Sequence, residues 1–155
     1  MSEQSYLTPE GREELERELK QLVEVRRPDL AMKLKEAVAD GDLKENANYH
    51  DAKEQQAFVE GRIQQLEHIL RSAITITKNG ATDDVRLGSE VTIVEDGGED
   101  EETYMIVGAA EAKPREGKIS NESPIGGALL GRRKGEKVRV KTPAGEVIFK
   151  VKKIR

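Results

Sequence analysis

Two carboxylates three positions apart, Asp42 and Glu45, are the residues in this chain whose types and spacing best suit chemistry. If a helix begins near Asp42, both side chains reach a common region at its N-terminus. Paired carboxylates suit a hard cation such as Mg²⁺, which accepts one or two protein carboxylates and keeps several waters. Because Mg²⁺ requires an octahedral set of oxygens, the pair makes chemical sense when it completes an active site that belongs to another molecule.

The same two residues have a purely structural interpretation. Residues 42–45, DLKE, match a capping box, in which Asp42 satisfies a helix amide and Glu45 reaches back to the start of the helix. Acidic residues are also common at helix N-termini because they oppose the helix dipole. Spacing alone favours capping over metal chemistry, although the free protein can accommodate both roles.

Other candidate sites are weaker. His50 and His68 are the only histidines, 18 positions apart in a chain without cysteine, so they do not make a zinc site and are interpreted as helix-surface residues. The glycine-rich segment 126–131 resembles a phosphate-binding loop, but Arg132 and Arg133 follow where such a loop has Lys and then Ser or Thr. We reject that interpretation.

The elements around Asp42 and Glu45 are predicted to be helices. Thr8 and Pro9 fit a capped helix start, and Pro28 predicts a kink or short break. Apolar residues mark one face of the first helix at Leu15, Leu19, Leu22, Leu30, Leu34 and either Ala37 or Val38. A heptad seam follows at Tyr49, Ala52, Gln56, Val59, Ile63, Leu66 and Leu70.

Two such seams joined by the turn at 40–54 bury each other only by folding back. We therefore expect an antiparallel coiled-coil hairpin, with the turn at its far tip. At about 1.5 Å per residue, arms of about 28 residues give a finger roughly 40 Å long. Such a finger can enter a channel that excludes a globular domain.

The pattern changes after Arg71 to short, β-branched segments typical of strands. Strands are predicted at 90–95, 103–107, 117–120, 137–142 and 146–153, and a short capped helix is predicted between Ser123 and Gly131. The last two strands form a hairpin with one apolar and one basic face. The chain is thus predicted to be α+β, with domains at 1–75 and 76–155.

Composition restricts the class of protein. Through Thr75 the chain has 11 Lys and Arg against 16 Asp and Glu, net −5, and the remainder has 15 against 14, net +1. Neither half is a polycation, so the chain is not an ordinary sequence-independent DNA binder. The basic face near Arg132 could meet an acidic protein or nucleic acid, but a solvated face is the simpler interpretation.

Location is also constrained by the sequence. The chain has no cysteine, no apolar run of membrane-spanning length and no signal peptide at its N-terminus. We therefore expect a cytoplasmic protein without disulfides and without membrane contact.

Residues 41–56, GDLKENANYHDAKEQQ, closely resemble the tip of the Gre family of bacterial transcript-cleavage factors. Further segments resemble that family in the same order: LT at 7–8, RRP at 26–28, EGRI at 60–63, YMIVG at 104–108, IS at 119–120, SPI at 123–125 and TPAGE at 142–146. Together they cover essentially the whole chain.

The resemblance implies a coiled-coil finger that enters the secondary channel of bacterial RNA polymerase and an FKBP-like domain that docks at its mouth. In that family the tip acids help to hold the polymerase's second Mg²⁺, so that a backtracked transcript is cut and a new 3′ end returns to the active site. Asp42 and Glu45 occupy the matching positions. By this resemblance the chain is a monomeric accessory factor rather than an enzyme, and it holds Mg²⁺ only in the complex.

Other positions follow from the same resemblance. Lys53 matches a basic residue near the nascent RNA 3′ end, and Ser123, Pro124 and Ile125 match a polymerase-docking loop. Val38 stands where some relatives carry Arg, and the tip has few basic residues, which is closer to the GreA branch and implies short cleavage products.

Three alternatives belong to other functional classes. A channel-binding inhibitor on the same scaffold should have an altered tip, whereas Asp42 and Glu45 are both present. A prolyl isomerase would need an aromatic-lined pocket, but residues 76–155 contain one Tyr and one Phe. A coiled-coil adaptor would use the flanks of the hairpin and be indifferent to its tip.

Overall fold

A computed structural model describes residues 5–41, 44–76 and 83–155. The fold is mixed α+β, as predicted, with long helices in the N-terminal half and a β-sheet in the C-terminal half. Contacts within the chain define two compact units. The hairpin unit is Arg12–Ser72, and the sheet unit comprises the described residues before and after it. The domain bounds 1–75 and 76–155 stay a prediction; the unit boundaries place the first described residues with the sheet.

The N-terminal half is helical over most of its described length. Its elements are α1 (Pro9–Gln21), a π-helical turn (Leu22–Arg26), α2 (Arg27–Ala39) and α3 (Ala47–Ser72). α1 starts as predicted, because the Thr8 hydroxyl oxygen accepts a 3.0 Å hydrogen bond from the N–H of Gly11. Pro9 takes the first helical position, where its missing N–H removes no helical hydrogen bond.

The predicted short break at Pro28 does not occur, whereas the predicted kink stays a prediction. The helix continues through this residue, and the adjustment is the π-helical turn before it, in which Arg27 N–H bonds to the Leu22 carbonyl. Proline has no N–H for the carbonyl one turn earlier, at Glu24. A one-residue expansion of the turn lets the chain pass this point without ending the helix.

The apolar seam of the hairpin unit lies where the heptad pattern predicts it. Its buried core is formed by Leu30, Val59 and Ile63, against which Leu19, Leu22 and Val23 pack. Of the two candidates at the end of α2, Ala37 is 3% exposed and Val38 is 51% exposed, so the seam continues through Ala37.

Polar contacts across the hairpin unit show that its helices are antiparallel. The Arg62 guanidinium donates to both carboxylate oxygens of Glu18, at 2.7 and 2.9 Å. Further along, Arg26 donates to the Gln55 side-chain oxygen at 2.7 Å. Residue numbers thus rise along one arm as they fall along the other. The hydrogen bond from Arg62 to Glu18 also raises the pKa of the guanidinium, which stays charged.

The sheet unit contains a five-stranded sheet, whose strands are β3 (Glu90–Glu95), β4 (Glu101–Val107), β5 (Lys118–Ser120), β6 (Lys137–Thr142) and β7 (Gly145–Ile154). They lie in the order β5-β4-β3-β7-β6. β4 and β5 are parallel and the other neighbours are antiparallel. All five predicted strands are confirmed. The predicted hairpin of β6 and β7 turns at Pro143 and Ala144, and Gly145 follows with a φ of +122°, which favours glycine.

One face of this sheet is the core of the sheet unit. In β6, Val138 and Val140 are buried while Arg139 and Lys141 are exposed, which confirms the predicted alternation. Helix α4 (Pro124–Leu129) covers the apolar face with Leu129, which is fully buried. The predicted capped helix is therefore confirmed as well.

A small parallel pair of strands and a buried carboxylate were not predicted. β1 (Tyr6–Leu7) pairs with β2 (Ile74–Thr75). Beside β1, the carboxylate of Glu111 is buried and accepts hydrogen bonds from the backbone N–H of Thr8, at 3.0 Å, and from its hydroxyl. Among the described residues, no helix is both long enough and apolar enough to cross a membrane.

Candidate functional site

The candidate site is the end of the hairpin unit, where α2 stops and α3 starts. The Asp40 and Gly41 N–H groups bond back to the carbonyls of Ala37 and Val38, each at 3.3 Å, and so close the last turn of α2. Gly41 has a φ of +107°, which turns the chain away from the helix axis. The next described residue is Lys44, shortly before α3.

The residue that starts α3 is Asn46, so the predicted capping box is wrong for Glu45. The Asn46 side-chain oxygen accepts from the N–H of Tyr49 at 3.1 Å, and its side-chain amide donates to the Ala37 carbonyl at 2.7 Å. Asn caps helices as well as Asp does, and unlike Asp it also has a side-chain donor for the Ala37 carbonyl at the end of α2. Glu45 is thus in the turn that precedes the helix.

Glu45 is exposed in this turn. Its side chain is exposed and makes no hydrogen bond or ion pair with any residue that the structure describes. A carboxylate in this position keeps both oxygens available for a ligand. Asp42, the other predicted acid, lies outside the described residues.

The donor chemistry at the tip suits Mg²⁺, but Glu45 supplies only part of a ligand set. The Glu45 carboxylate is a hard oxygen ligand of the kind that this ion accepts. Within 5–41, 44–76 and 83–155, however, no group of three or more His, Cys, Asp and Glu side chains could hold a metal ion. The remaining ligands would therefore have to come from Asp42, water or another molecule.

Lys53 lies on α3, two turns from its start, and is exposed. Its ammonium nitrogen is 6.0 Å from the centre of the Tyr49 ring, at the outer limit of a cation–π contact. The Tyr49 ring in turn meets the His50 ring edge-on, with centres 5.5 Å apart. Lys53 is therefore on the same end of the hairpin unit as Glu45, with its charge free to reach a ligand.

The predicted docking residues, 123–125, lie at the start of α4 and differ in exposure. Ser123 caps this helix, since its hydroxyl oxygen accepts from Gly126 N–H at 3.0 Å while its O–H donates to the Ser120 carbonyl at 2.6 Å. Ile125 is half-buried and packs on the sheet core. Only Pro124 is exposed among the three. The structure therefore offers Pro124 as the accessible member of this loop.

Comparison with known proteins decides the family. The family profile for the N-terminal region of transcription elongation factors matches residues 5–74. The profile described as transcription elongation factor, GreA/GreB, C-terminal, matches residues 80–155. This chain belongs to the GreA/GreB family of transcription elongation factors.

Curated members of the GreA/GreB family are similar along nearly the whole chain. Transcription elongation factor GreA of Bacillus subtilis (strain 168) is 50% identical over 148 residues, which are 96% of this chain and 94% of that protein. GreA of Geobacillus kaustophilus (strain HTA426) is 50% identical over 152 residues, 97% and 96% of the two chains. The crystal structure of the GreA factor homolog 1 (Gfh1) protein of Thermus thermophilus is 31% identical, covers 99% of both chains and has a TM-score of 0.46.

The contacts of two tip residues of this GreA/GreB factor were not predicted from the sequence. Asn46 joins the two helix ends, and the His50 ring nitrogen Nε2 lies 3.0 Å from the Lys44 carbonyl oxygen. Asn46 could have been found as a second candidate cap, because it stands directly before the heptad pattern. The contact of His50 leaves no such signal, since it depends on how the turn folds back.

Proposed function

We propose that this protein stimulates the cleavage of backtracked nascent RNA by bacterial RNA polymerase and so rescues arrested elongation complexes. The observation that carries the proposal is Glu45, an exposed carboxylate without a described partner, on the turn at the end of a helical hairpin. Membership in the GreA/GreB family supports it. The protein would act in the cytoplasm as a monomeric accessory factor, while the reaction itself belongs to the polymerase.

The hairpin unit and the sheet unit would have different roles. The hairpin unit, as an antiparallel coiled coil, would enter the polymerase secondary channel with its tip foremost. The sheet unit, as an FKBP-like domain, would dock at the mouth of the channel through residues 123–125, with Pro124 as the accessible contact. A narrow pair of helices suits this role because it brings a side chain to a site that a globular unit cannot reach.

At the tip, Glu45 and Asp42 would hold Mg²⁺ together with carboxylates of the polymerase. A bound Mg²⁺ polarises a phosphoryl oxygen and lowers the pKa of its water. Glu45 and Asp42 would orient the water by accepting its hydrogen bonds, and their negative charges would compensate the charge of the ion. Lys53 would neutralise a phosphate near the RNA 3′ end. Asn46 fixes the backbone from which Glu45 extends.

The surface of the sheet unit gives little support to the prolyl isomerase alternative. The cavity beside Phe149 is about 170 Å³ and is lined largely by carboxylates, among them Glu95, Glu99, Asp100 and Glu102. A proline ring needs an apolar, aromatic-lined pocket instead.

A cleavage assay tests the proposal and separates it from the remaining alternatives. Backtracked elongation complexes with end-labelled RNA are incubated in Mg²⁺ buffer with and without the protein. We expect the protein to accelerate the release of short 3′ fragments and to restore elongation when nucleotides are added. Binding without acceleration would instead identify an adaptor, and binding that slows cleavage or elongation would identify a channel inhibitor.

A further inference from the structure

The two histidines of this chain differ in what their rings contact. His50 Nε2 lies 3.0 Å from the backbone carbonyl oxygen of Lys44, six residues earlier. A carbonyl oxygen only accepts, so Nε2 carries the hydrogen and donates it. His68, an exposed residue further along α3, has no described contact through its ring. The His50 contact is therefore specific to its position and not a general property of histidine on this helix.

The carbonyl that His50 binds belongs to the residue directly before Glu45. The residue directly after Glu45 is Asn46, whose side chain is bound at both of its ends, to Tyr49 and to Ala37. The backbone of Glu45 is thus held on both sides, while its side chain remains exposed. A turn outside regular structure has few backbone hydrogen bonds of its own, so such contacts decide how far it moves.

We propose that His50 is a positioning residue, which holds the Lys44 carbonyl and so keeps the Glu45 carboxylate in one place. The inference rests on the proposed function of Glu45 and deepens it. A ligand on a fixed backbone pays less conformational entropy when it joins a shared metal site, and small displacements of catalytic groups cost rate. His50 acts through Lys44 and does not itself touch RNA or metal.

Substitutions at His50 can separate hydrogen-bond donation from other properties of the ring. His50→Phe keeps an aromatic ring against Tyr49 but has no donor, whereas His50→Gln keeps an N–H donor and cannot act as an acid or base. His68→Phe is the matched control on the same helix. The variants are compared in the polymerase cleavage assay over a range of protein concentrations, and by hydrogen exchange of residues 44–47 in the free protein.

We expect His50→Phe to lower the maximum cleavage rate by about three- to tenfold, the factor expected for one modest hydrogen bond, with an unchanged half-saturating concentration. Exchange at 44–47 should accelerate in the same variant. His50→Gln and His68→Phe should resemble the native protein in both measurements. A destabilised hairpin would instead shift the half-saturating concentration and accelerate exchange along the whole of α3.

Three results would overturn the positioning role: unchanged exchange at 44–47 in His50→Phe, a native cleavage rate in His50→Phe, or a His50→Gln variant as impaired as His50→Phe. Glu45→Ala is measured alongside them. Full cleavage with Glu45→Ala would overturn the proposed function, whereas loss with Glu45→Ala and a native rate with His50→Phe would overturn only the role of His50.

Discussion

The side-chain amide of Asn46 donates a 2.7 Å hydrogen bond to the backbone carbonyl of Ala37. The same side chain caps α3 through its oxygen, so one residue closes the end of one helix and begins the next. Ala37 is buried in the seam, which ties this contact to the packing of the two arms. The turn between them, which carries Glu45, therefore starts and ends at fixed points.

Substitution of Asn46 should show that its two hydrogen bonds contribute separately to stability. Asn46→Ser keeps an oxygen that caps the helix but loses the donor for Ala37, while Asn46→Ala loses both. We expect each loss to lower the free energy of unfolding by about 1 kcal/mol, measured by urea denaturation. If Asn46→Ser is as stable as the native protein, the bond to Ala37 contributes nothing.

Gly108 should not tolerate a side chain. A Cβ at this position would lie 2.0 Å from the backbone oxygen of Tyr6, so β1 would have to move. We expect Gly108→Ala to destabilise the protein by about 1–3 kcal/mol, as over-packing does. Gly61→Ala is the control, because Gly61 lies within α3 and its Cβ would meet nothing within 4 Å. That change should stabilise the helix by up to about 1 kcal/mol.

Equal unfolding midpoints for the two alanine variants would contradict the close approach of Gly108 to β1. Destabilisation by Gly61→Ala alone would contradict it as well.

The ion pair of Arg27 and Glu60 should make part of the stability depend on pH. Arg27 donates to both Glu60 oxygens, at 2.7 and 2.9 Å, and this hydrogen bond lowers the pKa of Glu60 from its ordinary value of 4.5. Because the pKa of Glu60 is lower in the folded state than in the unfolded state, the ion pair stabilises the protein at pH values above the unfolded-state pKa. This contribution is lost as the pH falls through the folded-state pKa. The native protein should therefore exceed Glu60→Gln in melting temperature at pH 7, and the difference should vanish in acid.

Both groups are exposed, so the effect of this ion pair should be small and should shrink as salt is added. Melting curves between pH 7 and pH 3, at low and high salt, provide the measurement. A difference that persists unchanged through the acid range would mean that Glu60 contributes by packing rather than by charge.

Ser123 and Pro124 should have separable effects. Ser123→Ala removes the cap of α4 and should cost about 1–2 kcal/mol of stability, seen as a lower urea midpoint. Pro124→Ala changes an exposed residue and should alter stability by less than about 0.5 kcal/mol. If the loop docks on polymerase, Pro124→Ala should nevertheless weaken binding to the core enzyme. Unchanged binding would remove Pro124 from the docking surface.

Much of the fold follows from periodicity, because burial imposes it on the sequence. The seam through Val59 and Ile63 and the alternation in β6 were predicted for that reason. The five strands of the sheet are bounded by turn residues that the sequence displays directly. Local patterns of this kind do not depend on which distant segment lies nearby.

What could not be predicted depends on contacts between distant parts of the chain. β1 and β2 are two residues long each, too short to have a pattern of their own, and the whole hairpin unit lies between them in the sequence. The helix continues through Pro28 by way of the π-helical turn before it, and apolar residues of the packed seam lie both before and after this turn. At the tip, Asp42 and Asn46 are both residue types that cap helices well, and the hydrogen bond from Asn46 to the distant Ala37 carbonyl leaves no signal in the sequence.

The most direct test of the proposed function removes the negative charges of Asp42 and Glu45 while keeping side chains of the same shape. Asp42→Asn and Glu45→Gln, singly and together, are compared with the native protein at saturating concentration in the cleavage of backtracked RNA by polymerase, with binding measured in parallel. We expect cleavage stimulation to be lost, excess Mg²⁺ to restore part of it for the single variants, and binding to stay nearly native. Undiminished cleavage with the double variant would contradict the proposed function.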